Sequence, residues 1–179
     1  IVYNGHLGGL AGADEICNNH AQASESIVPE GNYVAILSDT EKSAASRVGV
    51  SMGPIVNSIG EPVAENVTAL FSGIVKRFRS RPDPDDFTAR YIWFDDGSPL
   101  SSPINRTAAG DLAPGAAATW TGSLTNGQPA SNDPAELCSG WTTANAGKTG
   151  KGVGLPQLRS AGWITGEEVT GTIDFGCDQ

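Results

Sequence analysis

Apolar residues recur at helical spacing in one stretch near the start of the chain. Between positions 10 and 23 they follow an i, i+3, i+7, i+11 stripe, which predicts an amphipathic helix with one buried face. That face is formed by Leu10, Ala13, Cys17 and Ala21. His20 lies at the flank of this face, so we predict a buried or half-buried packing role for it in place of metal ligation.

Other short runs predict strands and a second helix. Segments 33–37, 91–94 and 118–121 are rich in β-branched and aromatic residues and indicate strands of a sheet. Segments 54–57 and 62–64 predict a hairpin with a proline at the edge of each strand. One helical turn is predicted after it, over Val67, Leu70 and Phe71. Ser38 and Glu41 have capping-box spacing, which predicts that a helix begins at Ser38.

The stretch from Trp120 to Cys177 has a different character. Gly, Pro, Ser, Thr and Asn dominate it, and no helical period lasts more than one turn. Such a segment buries little aliphatic area, so it needs aromatic anchors and a covalent tie. We therefore predict a disulfide between Cys138 and Cys177. It would close a loop of about 40 residues and contribute about 4 kcal/mol. Trp120, Trp141 and Trp163 are the predicted anchors.

Composition narrows the class of protein. With 179 residues the chain is expected to form one domain, and its 17% charged residues and 23 glycines are typical of an extracellular, loop-rich domain. The net charge of −9 argues against nucleic acid as a partner, and no apolar run has the length of a membrane span.

Ile1 is read as either a processed end or the edge of a fragment. The odd cysteine count leaves Cys17 to be explained.

Four basic residues are concentrated within six positions: Lys76, Arg77, Arg79 and Arg81. They would suit a polyanion or an acidic glycan. The favoured interpretation is a solvated loop face, neutralised by the three aspartates at positions 83, 85 and 86.

Enzymatic motifs are not found, so we expect a non-enzymatic protein. A serine nucleophile would need an elbow and a usable histidine, and both histidines lie within the first twenty residues. His6 and His20 could join Asp14 in a zinc site, but no Cys/His spacing supports that idea. Phosphate-binding glycine loops are also lacking.

Seven motifs occur in an order that resembles a known family. They include the segment Gly8 to Asp14 followed by Cys17, the segment 31–39, Trp120-Thr121-Gly122-Ser123 and Cys138-x-x-Trp141. Together they resemble the endostatin-like branch of the C-type-lectin-like fold, with bacterial secreted or surface domains as the nearest relatives. The resemblance implies an α+β domain over residues 1–179: two helices around a mixed, mostly antiparallel sheet, with a long loop region and nested disulfides.

One departure from that family concerns the end of the chain. Such domains usually continue into a further strand whose cysteine pairs with the one on the first helix. This chain stops two residues after Cys177, so Cys17 is left without that partner. Truncation at both ends is left open.

The long loop also resembles the calcium site of sugar-binding lectins, but only in part. Ala130 follows Gln128-Pro129 where the family motif has a carboxylate or amide, and Trp141 is followed by two threonines. No cofactor is therefore expected. A structural calcium ion on Asn132, Asp133 and Glu136 is the less favoured alternative.

Two functions are open at this point. The first is an extracellular adhesin-like binding module that recognises a glycan or protein through its long loops. The second is a self-assembling subunit of a surface layer or fibre, suggested by the β-prone chain start and the unpaired Cys17. The candidate ligand-binding residues are Trp120, Gln128, Asn132, Asp133, Trp141 and Trp163. Asn66 and Asn105 stand in N-glycosylation patterns.

Overall fold

The computed structural model describes residues 3–50, 53–71, 76–79, 92–95, 104–113, 119–154, 164 and 175–178. These residues form an α+β architecture of short helices and small antiparallel sheets. None of the helices in these ranges is long and apolar enough to cross a membrane.

The helices are short apart from the first. They are α1 (Gly9–Ala21), α2 (Ala44–Val48), α3 (Val67–Leu70), a 3₁₀ turn (Pro134–Glu136) and α4 (Cys138–Trp141). The helix predicted over 10–23 is confirmed by α1, and the helical turn predicted after the hairpin is confirmed by α3.

The predicted start of the second helix at Ser38 was wrong. Asp39 Oδ1 instead accepts hydrogen bonds from the amides of Glu41 and Lys42, which makes a turn there. The helix begins six residues later, where the Ser43 hydroxyl caps α2 by accepting from the Ser46 amide at 3.1 Å.

Strands pair in four separate two-stranded antiparallel sheets within the described residues. The pairs are β1 (Ile55–Val56) with β2 (Pro62–Ala64), β3 (Lys76–Arg79) with β4 (Ile92–Asp95), β5 (Thr119–Trp120) with β7 (Val153–Gly154), and β6 (Thr149–Gly150) with β8 (Phe175–Gly176). The hairpin and the strands near 92–94 and 119–120 are thus confirmed. A single mixed sheet does not form in these ranges, and more than two helices are present.

Segment 33–37 was predicted as a core strand, and that prediction was wrong. Side chains satisfy its backbone in place of a neighbouring strand. Asn18 forms two hydrogen bonds with the Tyr33 backbone, and Asp14 Oδ1 accepts from the Ala35 amide at 2.8 Å. Arg47 Nη1 donates to the carbonyls of Ala35 and Leu37. Arg47 also forms an ion pair with Asp14, so one polar network holds this segment on α1.

The predicted loop around the basic residues was also wrong for three of them. Lys76, Arg77 and Arg79 lie in β3, which pairs with β4 in a register that places Lys76 opposite Asp95. Arg77 and Arg79 stand at alternate positions on either side of Phe78, and this spacing also suits a strand, which explains the error. Arg81 and the three aspartates that follow it lie outside the described residues.

Two hydrophobic clusters form the core. One gathers around α3 and the hairpin: Ala44, Val63, Ala64, Val67, Leu70, Phe71 and Ile164. The other lies under α1 and contains Ala13, Leu37, Leu137, Trp141 and both cysteines of the disulfide.

Cys17 is half-buried on α1, as its stripe predicted, whereas His20 is exposed and contacts the Tyr3 hydroxyl at 2.9 Å. The buried or half-buried role predicted for His20 was therefore wrong.

Candidate functional site

Residues 121–151 form an irregular segment that we call the loop platform. It contains a tight turn in which the Leu124 amide donates to the Gln128 carbonyl and the Gly127 amide donates to the Leu124 carbonyl. Gly127 has φ of 73°, which the turn requires. A Cβ atom there would also approach Phe71 Cδ1 to 2.7 Å. The turn exposes Leu124, Asn126 and Gln128 to solvent.

Hydrogen bonds from Ser38 join the loop platform to the rest of the protein. It is fully buried, and its amide donates to the Thr121 carbonyl at 2.8 Å. Its carbonyl accepts from Trp141 Nε1 at 2.7 Å. Its hydroxyl lies 2.7 Å from the buried Ser123 hydroxyl and accepts from the Ala44 amide. All hydrogen-bonding groups of Ser38 are therefore used, so the base of the platform is fixed in one arrangement.

A disulfide closes the far side of the platform. Cys138 and Cys177 are bonded and fully buried, with their Cα atoms 5.6 Å apart, which confirms the predicted bridge. The chain start packs against it, since the Gly5 amide donates to the Cys177 carbonyl at 2.8 Å. A Cβ atom on Gly5 would lie 2.5 Å from Cys138 Sγ, so only glycine fits without movement.

The four residues of α4, which follow Leu137, form a left-handed turn and not a right-handed α-helix. Cys138, Ser139, Gly140 and Trp141 all have positive φ, between 49° and 68°. For residues other than glycine this conformation costs about 1–2 kcal/mol each. It persists here because Cys138 is held by the disulfide and the Trp141 indole by its hydrogen bond to Ser38. Strain of this kind concentrates at functional positions in proteins, which directs attention to this part of the platform.

Trp120 and Trp141 act as aromatic anchors, as their positions in the sequence predicted. Their ring centroids are 5.7 Å apart, and Trp120 also meets Phe175 edge-on at 6.2 Å. Trp141 is fully buried, and a Cβ atom on Gly150 would overlap the Trp120 ring. Both tryptophans therefore support the platform from within. Trp163 lies outside the described residues.

The polar candidates occupy the outer side of the platform. Asn132 and Asp133 are exposed, and Asp133 Oδ1 accepts from the Ala135 amide at 2.8 Å, which caps the 3₁₀ turn. Glu136 Oε1 forms an ion pair with Lys151 Nζ at 2.8 Å, and the Ser131 hydroxyl donates to Glu136 Oε2 at 2.5 Å. The structure thus joins Glu136 to a cation and a hydroxyl.

These contacts set the electrostatics of the proposed calcium ligands. Hydrogen bonds from Lys151 first, and from Ser131 second, lower the pKa of Glu136 below its usual value. A carboxylate that already forms an ion pair with an ammonium group is a weak ligand for a metal cation. Among the described residues no group of three or more His, Cys, Asp or Glu side chains could hold a metal ion.

An apolar cavity of about 290 Å³ lies beside α1. Leu7, Ile16, Ile36 and Trp120 are among its lining residues, together with Cys17. Burial, followed by the charge of Asp14, raises the pKa of the Cys17 thiol, and Arg47 opposes this. The thiol is therefore neutral and weakly nucleophilic at pH 7.

The two candidate glycosylation residues differ in their surroundings. Asn66 caps α3 by accepting from the Ala69 amide at 2.8 Å. The Asn105 carbonyl accepts from the Ala113 amide in the described 104–113 turn.

The contacts of two residues that shape this site were not predicted from the sequence. Ser123 and Arg47 carry buried polar contacts, yet a lone serine or arginine gives no pattern that predicts a partner far along the chain. The sequence signal for Ser123 was its place in the motif Trp120-Thr121-Gly122-Ser123, which marks the region without giving the contacts.

Comparison with known proteins adds one match. Residues 1–84 match a family described as "Protein of unknown function (DUF1554)". The matched range includes α1, Ser38 and α3, and it ends before the loop platform begins. No curated protein matches the chain.

Proposed function

We propose that this chain is an extracellular, non-enzymatic binding module that recognises a protein or glycan through the loop platform. The observation that carries the proposal is the contrast between the two sides of the platform. Its base is fixed by Ser38, the Trp141 indole and the disulfide, whereas its outer turn presents exposed side chains. Loops held by a rigid scaffold are the usual place for recognition residues.

The exposed residues suit a polar ligand. Asn126, Gln128 and Asn132 carry amides, which donate and accept hydrogen bonds at one position. Leu124 adds an exposed apolar contact beside them. Sugar hydroxyls and peptide groups both require paired donors and acceptors, and a rigid platform lowers the entropy lost on binding.

Recognition in this proposal does not depend on calcium. The Glu136 carboxylate forms an ion pair with Lys151, and the Asp133 carboxylate caps the 3₁₀ turn. The side chain of Ala130 has no atom that could bind calcium. The endostatin-like branch of the C-type-lectin-like fold, which lacks the sugar-binding calcium site, is the fold that we propose for the whole domain. The buried disulfide supports an extracellular location, since such bonds persist in oxidising compartments.

The alternative is a self-assembling structural subunit. Cys17 has no disulfide partner among the described residues, and a second copy could supply one. Light scattering coupled to size-exclusion chromatography separates the two. A monomer across a wide concentration range favours the binding module, and concentration-dependent assembly favours the subunit.

The binding proposal is tested by probing arrays of glycans and of extracellular proteins with the recombinant chain. Asn132→Ala and Gln128→Ala are expected to weaken capture of the selected ligand by about tenfold. Asn32→Ala is the matched control, because Asn32 is also an exposed asparagine but lies outside the platform. Equal binding by all variants to a ligand selected in this way would contradict a recognition role for the platform.

A further inference from the structure

A second cavity lies at the C-terminal end of α1, on residues that the loop platform does not include. Its volume is about 430 Å³, and Gln22, Ser26, Val28, Glu30, Gly31 and Tyr33 are among the lining residues. We call it the helix-end pocket. Its walls are mixed in polarity, unlike those of the apolar cavity beside Cys17.

The walls of the helix-end pocket are held in place by hydrogen bonds within the protein. Asn18 Nδ2 donates to the Tyr33 carbonyl at 2.7 Å, and Asn18 Oδ1 accepts from the Tyr33 amide at 2.9 Å. The other end of the Tyr33 side chain is fixed because its hydroxyl donates to the Pro29 carbonyl at 2.5 Å. The Ser26 amide donates to the Ala23 carbonyl, which turns the chain back over the helix end. The pocket is therefore formed before any ligand arrives.

The charged and dipolar groups that line the helix-end pocket favour a cation. Glu30 supplies a carboxylate, and none of the described lining residues is basic. The last carbonyls of a helix carry partial negative charge, and α1 has 13 residues. Aromatic rings such as that of Tyr33 attract cations over their faces. The net charge of −9 adds a long-range attraction for basic partners.

One buried side-chain polar atom among this pocket's lining residues has no partner. Ser26 Oγ is buried and makes no hydrogen bond. Among the described residues, the side-chain oxygens of Ser58 and Thr107 are the other two buried polar atoms without a partner. Folded proteins rarely leave a buried hydroxyl unpaired, because it loses water without gaining a partner. A rotation about χ1 lets such a hydroxyl accept a hydrogen bond from a ligand that enters the pocket.

We propose that the helix-end pocket binds the cationic end of a lysine or arginine side chain on a protein partner. The Glu30 carboxylate pairs with the cation, and the Gln22 amide oxygen and the Ser26 hydroxyl accept its remaining hydrogen bonds. This site is separate from the loop platform, so its test does not require that the platform bind anything.

The test is an NMR titration with Nα-acetyl-lysine methylamide, with Nα-acetyl-norleucine methylamide as the uncharged probe. Saturable shifts are expected at the amides of Gln22, Ser26, Gly31 and Tyr33 with the lysine probe alone. Glu30→Gln is expected to weaken binding by about fivefold, as the loss of one exposed ion pair implies. Glu25→Gln is the matched control, because Glu25 is an exposed neighbour that is not among the described lining residues.

The proposal is overturned by the absence of saturable shifts at these amides, by equal shifts with the norleucine probe, or by equal weakening by Glu25→Gln and Glu30→Gln. The last would show attraction by net charge without a site. Saturation by a neutral methyl glycoside with no response to the lysine probe would also overturn it, and would assign the pocket to a sugar.

Discussion

The indole nitrogen of Trp141 donates a hydrogen bond of 2.7 Å to the carbonyl of Ser38, which lies 103 positions earlier in the chain. Both residues are fully buried. This bond joins the left-handed turn at Cys138–Trp141 to the segment that runs over α1. It therefore links the base of the loop platform to the first half of the domain.

Replacing Trp141 with phenylalanine should reveal the value of that bond. Trp141→Phe keeps an aromatic ring but leaves the Ser38 carbonyl buried without this donor, which costs about 1–3 kcal/mol beyond the lost ring area. The free energy of unfolding in urea measures it. Trp120→Phe is the control, because it removes similar ring area without removing a hydrogen bond to Ser38. Equal losses in the two variants would show that the bond contributes nothing.

The core role of Leu37 gives a second prediction. Leu37 is 2% exposed and packs against Ala13 and Trp141, whereas Val34 of the same segment is 43% exposed. Leu37→Asp buries an unpaired charge and should lower the free energy of unfolding by at least about 3 kcal/mol. Val34→Asp should change it by less than about 0.5 kcal/mol. A Leu37→Asp variant that melts like the parent would place Leu37 outside the core.

This segment also shows where prediction from sequence succeeds and where it fails. The apolar run correctly indicated that Leu37 is buried. It could not indicate pairing, because the partners of its backbone are the side chains of Asn18, Asp14 and Arg47. Strand propensity reports which residues suit an extended, half-buried backbone, and that condition is met here without a sheet.

The loop platform was predicted in outline for a related reason. Cysteine and tryptophan positions were enough to predict the disulfide and the anchors, since few other residues could hold so polar a segment together. The left-handed turn was not predicted, because only Gly140 in it favours positive φ. The buried Ser38–Ser123 contact depends on the folded geometry alone.

Gly5 is the subject of the third prediction. Gly5→Ala places a methyl group within 2.5 Å of Cys138 Sγ and 2.9 Å of Cys177 Cβ, so the chain start or the disulfide must move. The expected cost is about 1–3 kcal/mol in thermal or urea unfolding. Gly31→Ala is the control, since the nearest atom to its added Cβ is Tyr33 Cε2 at 3.8 Å. If both variants unfold together, Gly5 does not pack against the disulfide in solution.

The pair of Glu136 and Lys151 makes stability depend on pH in a defined direction. The pKa of Glu136 is lowered in the folded protein, so its stabilising contribution is fully present above the usual carboxyl value of about 4.5. It is lost as pH falls through the lower folded value. The urea midpoint of Glu136→Gln should therefore lie below that of the parent at pH 7, and the gap should be smaller at pH 3.

An exposed glutamate provides the comparison for this titration. Glu41→Gln removes the same charge from a position with no ion pair among the described residues, and it should change the midpoint little at either pH. A gap for Glu136→Gln that stays constant from pH 7 to pH 3 would rule out a contribution from the ionised pair.

The central claim, that the loop platform recognises the ligand without calcium, is tested most directly by hydrogen–deuterium exchange. The chain is measured alone and with the ligand selected on the arrays, once with added calcium and once with excess chelator. Slower exchange is expected on binding in peptides that span 122–136, to the same extent in both conditions. Protection confined to other parts of the chain, or protection of the platform that disappears in chelator and returns with calcium, would contradict it.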